Sequence, residues 1–447
     1  MNAQAAKLEL PVAYGRLTAQ VTAACPYYAR VVPKHPVENL RFRKAMRDAG
    51  AADPRMAAFL MEVCRRDILF FTNTFVWTYD PRRKACPMIP FNTWPFQDEG
   101  LVKLRDALGV RNVLIEKSRD MGASWMNLLV QFHAFVFEPM QAFLLVSRKE
   151  ELVDKAGDHK SLFWKILKMH ELLPSWMRPE IERKKLHVLN TENGSMFDGE
   201  ATTGDVARGD RRTNILLDEF ASVENAIDVL AAVYDASDSI FFNSTPKGAA
   251  HPFYEIAINP EVEKLRLHWT QHPNKAAGLY TTGADGSLCT IDHSYTFPAD
   301  YKFILDGKPR SPWYDAECRR RQHKVLIAQE LDIDYLGSAY GFFDGDMLER
   351  LTHTTCIQPM VEGDVMIDPE HGSLVEFKPW AGGHLKLWCK LGPDPSNAHN
   401  YVIGADISAG TGASNSTLEI FSARTGEQIG EYVNSKVTPQ HLAEIAV

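Results

Sequence analysis

The 447 residues, 45% hydrophobic and 24% charged, suffice for two or three domains with buried cores. A net charge of −8 excludes a surface coated uniformly for nucleic acid but leaves room for a local basic channel. No apolar run approaches the roughly 18 residues that span a bilayer, so no membrane segment is expected.

The N-terminal stretch MNAQAAKLELPVAYGRL lacks a basic region followed by an apolar one, so no secretory signal is expected. Seven cysteines are scattered, odd in number and without CxxC or zinc spacing, which predicts reduced thiols in a cytoplasmic protein. His353 and Cys356 lie close together but do not make a metal site by themselves. Three basic stretches stand out: Arg82–Arg83–Lys84, Arg183–Lys184–Lys185 and Arg319–Arg320–Arg321. Each is more often a solvated face than a DNA contact.

Residues 37–78 read as helical, with an apolar stripe over Met56–Cys64. Pro81 to Pro95 contains four prolines and two aromatics and reads as irregular. A helix follows at Phe96–Leu108. Short apolar runs then predict buried strands at Val113–Glu116, Ala142–Val146, Lys185–Leu189, Asn214–Leu217 and Ser239–Asn243. Helical stretches at Trp125–Phe137 and Lys149–Met169 separate several of them, which predicts an α/β fold with a mostly parallel sheet. A long charged helix is expected at Asp315–Asp332. Tyr401–Ala405 is a further strand ending at Asp406, followed by strand-like runs at Thr417–Ser422 and Gln428–Asn434. Thr438 and Pro439 open a helix as N-cap and N1, and the absence of a C-cap predicts that the natural protein continues. The expected organisation is a helical or irregular segment over 1–95, an α/β domain over 96–344, a linker or small subdomain over 345–398, and an incomplete domain over 399–447.

The strand at Val113 runs into Lys117-Ser118-Arg119-Asp120-Met121-Gly122-Ala123-Ser124 and then an apolar helix. A phosphate cradle needs this order, because glycine admits the phosphates and the helix N-terminus offers free N–H groups. Serine at the helix start can ligate Mg²⁺. Against GxxxxGK[ST], only Gly122 and Ser124 match; Ala123 stands where lysine is expected and Lys117 where the first glycine is. A front lysine can still fold over the β/γ-phosphates, and Arg119 can add a bidentate contact. A bare strand–turn–helix is the competing reading.

Asn214–Asp218 ends a buried strand in two adjacent carboxylates, Asp218 and Glu219. At the carboxyl edge of a parallel sheet, the first can hold Mg²⁺ and the second can orient an attacking water. Just upstream, Gly204–Arg212 carries arginines that suit phosphates, DNA or simply solvent. Downstream, Ser244-Thr245-Pro246-Lys247-Gly248 is a polar loop at another strand end, either a γ-phosphate sensor or a plain turn.

The order of these elements resembles the large terminase subunit of tailed bacteriophages, over roughly residues 90 to 447. Trp94-Pro-Phe-Gln97 is similar to that family's adenine glutamine, Lys117 to a front lysine, and Arg119 to the arginine in its phosphate loop. Asp218–Glu219 resembles its Walker B pair, Ser244-Thr245-Pro246 its coupling motif, and Ala328–Asp332 the segment before its domain linker. Tyr401–Asp406 with Ala409-Gly-Thr-Gly412 resembles the first strand of its RNase H-like nuclease, although Asn415 stands where many members have aspartate.

The resemblance implies a RecA/ASCE-type P-loop ATPase followed by the start of an RNase H-like domain. ATP would lie against Gln97 and residues 117–124, with Arg119 and Glu219 catalytic and Mg²⁺ on Ser124 and Asp218. Asp406 would be the first ligand of a Mg²⁺ or Mn²⁺ nuclease site whose other carboxylates lie later in the chain, so residues 1–447 alone are not expected to cut DNA. Loss of the γ-phosphate would move the 244–246 loop and pull double-stranded DNA into a procapsid. The implied partners are DNA, a portal protein, a small terminase subunit and further copies in a ring on the capsid, in the cytoplasm of a host bacterium. Two alternatives stand beside it. A helicase-like DNA-dependent ATPase needs a second RecA-like domain, unlike the strand–Asp–Gly pattern after 398. A non-enzymatic nucleic-acid-binding or capsid-assembly component would fail a DNA-stimulated ATPase assay.

Overall fold

The computed structural model describes residues 17–202, 210–283, 285–338, 350–352, 354–367, 375–389, 401–412 and 414–446. The chain forms two compact units, Met1–Asp346 and Met347–Val447.

In the first unit, proline sets the N-terminal helices. Pro36–Ala52 and Pro54–Arg66 each carry it in the first turn, where its missing N–H costs nothing. The region expected as one helical run is three helices, the last being Ile68–Phe75. Asp53 and Asp67 interrupt it, and each carboxylate caps the helix that follows. A hairpin of β1 (Trp77–Tyr79) and β2 (Met88–Pro90) occupies the proline-rich stretch, and the helix Pro95–Ala107 follows.

The main sheet holds β3 (Val113–Lys117), β4 (Ala142–Ser147), β5 (Ile181–Lys184), β6 (His187–Asn190), β7 (Met196–Ala201), β8 (Asn214–Asp218), β9 (Ile240–Ser244) and β10 (Glu263–Leu267). Their order is β10-β3-β9-β8-β4-β7-β6-β5. Pairing is parallel from β10 through β7 and antiparallel at β6 and β5. This is the expected mostly parallel α/β sheet, with β3 lodged between β10 and β9. Helices cover both faces, so β3, β8 and β9 are buried throughout. Val113 and Ile115 pack with Leu129 and Phe132 of the helix Ala123–Phe137. Leu114 points the other way, into a core with Leu217, Phe242, Val229 and Val233. Val21, Leu60 and Phe71 join the first of these cores, so the N-terminal helices share it with the sheet.

Several elements differ from the sequence expectation. The run Lys185–Leu189 is a hairpin rather than one strand, turning at Leu186 with φ 58°. The charged edge strand β10 and the polar β7 carry too little apolar periodicity to be read in advance. Lys149–Met169 is two helices, Glu150–Val153 and Leu162–Leu172, the second capped by Ser161. Asp315–Asp332 breaks at Gln322 (φ 63°) into Pro312–Arg321 and Lys324–Ile327, followed by a π-helical turn, Ala328–Asp332. Between these and β10 lies a small hairpin of β11 (Tyr280–Thr282) and β12 (Leu288–Thr290).

The second unit is a six-stranded antiparallel sheet. Its strands are β13 (Val361–Ile367), β14 (Val375–Pro379), β15 (Leu385–Leu387), β16 (Tyr401–Asp406), β17 (Ser416–Ser422) and β18 (Gln428–Asn434). The order is β14-β13-β15-β18-β17-β16. The described part of the segment expected as a linker thus supplies three strands, and β15 pairs directly with β18. Leu385, Leu387, Leu418, Tyr432 and Leu442 form its core, the last from the helix Pro439–Ala446. Among the described residues, no helix is long and apolar enough to cross a membrane.

Candidate functional site

Parallel pairing brings the carboxyl ends of β3, β9 and β8 to one edge, and with them Lys117, Ser244 and Asp218. The loop after β3 is tied down from outside. Ser118 N donates to Leu267 O (2.9 Å) and Ser118 Oγ to Leu331 O (2.5 Å), while Arg119 N donates to Glu330 O (2.7 Å). Asp120 (φ 59°) and Gly122 (φ 81°) are both left-handed. Gly122 is needed twice over, since a Cβ there would also lie 2.8 Å from Gln97 Nε2. Among the described residues, the amides of Asp120, Met121, Gly122, Ala123 and Ser124 donate to no protein acceptor. Successive free amides at the start of a helix form a concavity for an anion.

The two acids face this loop. Ser124 Oγ lies 3.1 Å from Asp218 Oδ1, and Lys117 Nζ lies 3.2 Å from Glu219 Oε1. Lys117 reaches past the end of β9 to do so, because β9 separates β3 from β8. Asn243, next to last in β9, donates to Asp218 and sits 3.4 Å from Ser124 Oγ. Lys117 holds the Glu219 carboxyl below its usual range, against burial. Burial, and then the Glu219 charge, push Asp218 up. For Lys117, burial works against the ammonium, but Glu219 and Asp218 outweigh it and hold its pKa above the ordinary lysine value.

Hard oxygen donors suit Mg²⁺, which takes one or two protein ligands and completes its shell with phosphates and water. Ser124 and Asp218 fit that requirement, and the buried Asn243 Oδ1 beside them has no protein partner. Asp406 lines a small pocket with Ser408, Thr411 and Asn415, and among the described residues no group of three His, Cys, Asp or Glu gathers there.

Other expected residues line an adjacent cleft of about 1170 Å³, walled by Trp94, Gln97, Arg119, Gly122, Trp125 and Lys275 among others; Lys117, Ser124, Asp218 and Glu219 lie outside it. The Gln97 amide is engaged within the protein: Oε1 accepts from Trp94 N (3.0 Å) and Nε2 donates to Met121 O (3.2 Å). Arg119 turns to Glu330 at 2.8 Å. Ser244 Oγ accepts from Ala221 N (3.2 Å), two residues past Glu219, and Thr245 and Pro246 are buried beside it. Gly248 N donates to Ser338 Oγ (2.9 Å), so this loop touches both the acidic turn and the segment after the π-helical turn.

The basic stretches are largely neutralised. Arg82 pairs with Asp80 and Asp120, Arg183 with Asp154, Lys185 with Glu150, and Arg320 and Arg321 with Glu317. Of the Gly204–Arg212 run, Arg208 lies outside the described residues, as does His353, and Arg212 pairs with Asp198. Asn243, Lys275 and Glu330 are the site residues that sequence reading missed. Asn243 alone left a signal, a polar residue closing an apolar strand.

The family model for "Terminase large subunit, T4likevirus-type, N-terminal" matches residues 114–317, which contain the loop, both acids and the 244–246 turn. Among solved structures, the chain is similar to the large terminase of bacteriophage HK97 (14% identity, 82% of this chain, 67% of that one, TM-score 0.42). It is similar also to the ATPase domain of the Thermus phage P74-26 large terminase (16%, 52% and 92%, 0.34). A third is the large terminase of a thermophilic bacteriophage in complex with ADP (11%, 78% and 72%, 0.35). Residues 114–317, a little under half of the chain, are thus similar to the N-terminal part of terminase large subunits.

Proposed function

We propose that the chain is the ATPase of a viral DNA-packaging motor, hydrolysing MgATP at the carboxyl edge of the main sheet. The reading rests above all on the paired contacts Ser124–Asp218 and Lys117–Glu219, which bring the loop and the acids into one cleft. In it, the free amides of 120–124 and Lys117 hold the phosphates. Bound Mg²⁺ would neutralise phosphate charge from Ser124 and Asp218. Glu219 orients the attacking water, and Gln97, which touches the loop carbonyl at Met121, links the adenine side to the phosphate side. Phosphoryl transfer then depends on positioning and charge stabilisation. Loss of the γ-phosphate is passed through Ser244 and the 244–246 turn.

Double-stranded DNA, a portal protein, a small terminase subunit and a ring of further copies are proposed as partners, in a bacterial host. Asp406 is proposed as the first carboxylate of a nuclease centre; no cleavage step is derived from it. The test is ATP hydrolysis by the purified chain with and without duplex DNA. Mg²⁺-dependent turnover that rises on adding DNA is expected. Failure to bind or hydrolyse MgATP would remove the motor reading in favour of a non-enzymatic component.

Arg119 offers a second check. A phosphate oxyanion must compete with Glu330 for its guanidinium. Glu330→Gln is therefore expected to tighten ATP binding several-fold and Arg119→Ala to weaken it. Equal dissociation constants in Glu330→Gln and wild type would mean that Arg119 does not reach the phosphates.

A further inference from the structure

The phosphate loop is held from behind by a lysine far along the chain. Lys275 Nζ donates to Arg119 O (2.6 Å) and Asp120 O (3.2 Å) and lies 3.7 Å from Met121 Sδ. The side chain is buried, with its ammonium 4.8 Å from the centre of the Trp313 ring. Its own backbone is fixed on both sides: Lys275 N donates to His272 O (2.9 Å), and Ser311 Oγ donates to Lys275 O (2.6 Å).

In a trans peptide, the carbonyl and the following N–H point in opposite directions. Holding the oxygens of 119 and 120 therefore turns the amides of Asp120 and Met121 away from the ammonium. Those two amides are among the five without a protein acceptor. Left-handed backbone is unfavourable at a non-glycine residue, and Asp120 adopts it. Two charge-assisted bonds to the flanking carbonyls offset that cost.

We propose that Lys275 is a positioning residue of the phosphate loop: it fixes the peptide planes at 119–121 so that the Asp120 and Met121 amides present themselves to a nucleotide phosphate. The inference rests on reading the loop as a nucleotide site. An apolar side chain would pack on Trp313 without the expense of burying a charge. What lysine adds is three donors, two of them directed at carbonyls. Burial lowers its pKa to about 8, opposed by Asp120 on the loop. Arg82, from the β1–β2 turn, and Arg321 also lower it, while Glu317, on the same helix as Arg321, raises it. His272, in its own segment, is pushed down to about 4 by burial and by Lys275.

Protonated Lys275 is the form that holds the loop. ADP affinity should then be complete below about pH 8 and fall as pH rises through that value. The experiment measures ADP dissociation constants in the presence of Mg²⁺, from pH 7 to 9.5, for wild type and Lys275→Met, with circular dichroism on both. Lys275→Met is expected to bind ADP roughly 10- to 100-fold more weakly at pH 7. It should also show no fall in affinity above pH 8. A variant that binds like wild type with the same pH profile overturns the positioning role while leaving the nucleotide reading intact. Should Lys275→Met not fold, a wild-type affinity that stays level to pH 9.5 overturns it equally. Wild type that binds no ADP removes both readings.

Discussion

Glu219→Gln is expected to bind ATP at least as tightly as wild type and to lose about 10²- to 10⁴-fold in turnover, the range for a positioned acid–base group. The swap keeps size and hydrogen-bonding capacity, so the 3.2 Å neighbour Lys117 stays packed. It removes a negative charge that lies where the γ-phosphate charge must approach, and it releases the ammonium for phosphate. Binding therefore holds or improves while the attacking water loses its acceptor. Glu219 also stands at φ 57°, an unfavourable backbone for glutamate that aims its side chain from the strand end at Lys117. Single-turnover hydrolysis alongside equilibrium ATP binding checks both halves. Full turnover in the variant would hand the water to another residue.

Lys117→Ala is expected to weaken ATP binding roughly 10- to 100-fold, the value of one or two charge-assisted contacts. It should also change pH behaviour. Lys117 is the main influence holding the Glu219 carboxyl low, so without it that pKa rises. Glu219 must be ionised to accept a proton from water. The residual activity of Lys117→Ala should therefore fade at a higher pH than that of wild type. Titration calorimetry and a pH–rate profile measure the two effects. An unaltered ATP dissociation constant would show that the phosphates lie elsewhere along the loop. Arginine is not expected to rescue, because its planar fork does not fit the buried path past β9.

Some of this architecture is encoded locally. β3, the loop and the helix Ala123–Phe137 are contiguous, and an apolar run, a left-handed glycine and an uninterrupted helical stripe each leave a mark within a few residues. The same holds for Asp218–Glu219, where polarity changes abruptly at the end of an apolar strand, and for Ser244–Pro246. Elements with weak periodicity left none. β7 and β10 mix charged and apolar residues without a sustained period, and β15 spans only three residues within a stretch rich in glycine and proline.

Sequence by itself determined the α/β class and the placement of the 117–124 loop and the acids at strand ends, because local burial patterns and backbone freedom specify those. Tertiary structure alone decided the strand order that lodges β9 between β3 and β8, and so lets Lys117 meet Glu219 past its end. It also decided that Glu330 and Lys275, each more than 150 residues away, hold the loop after β3. Contacts of that separation arise from how packed layers bring distant segments together, and no short window of residues carries that information.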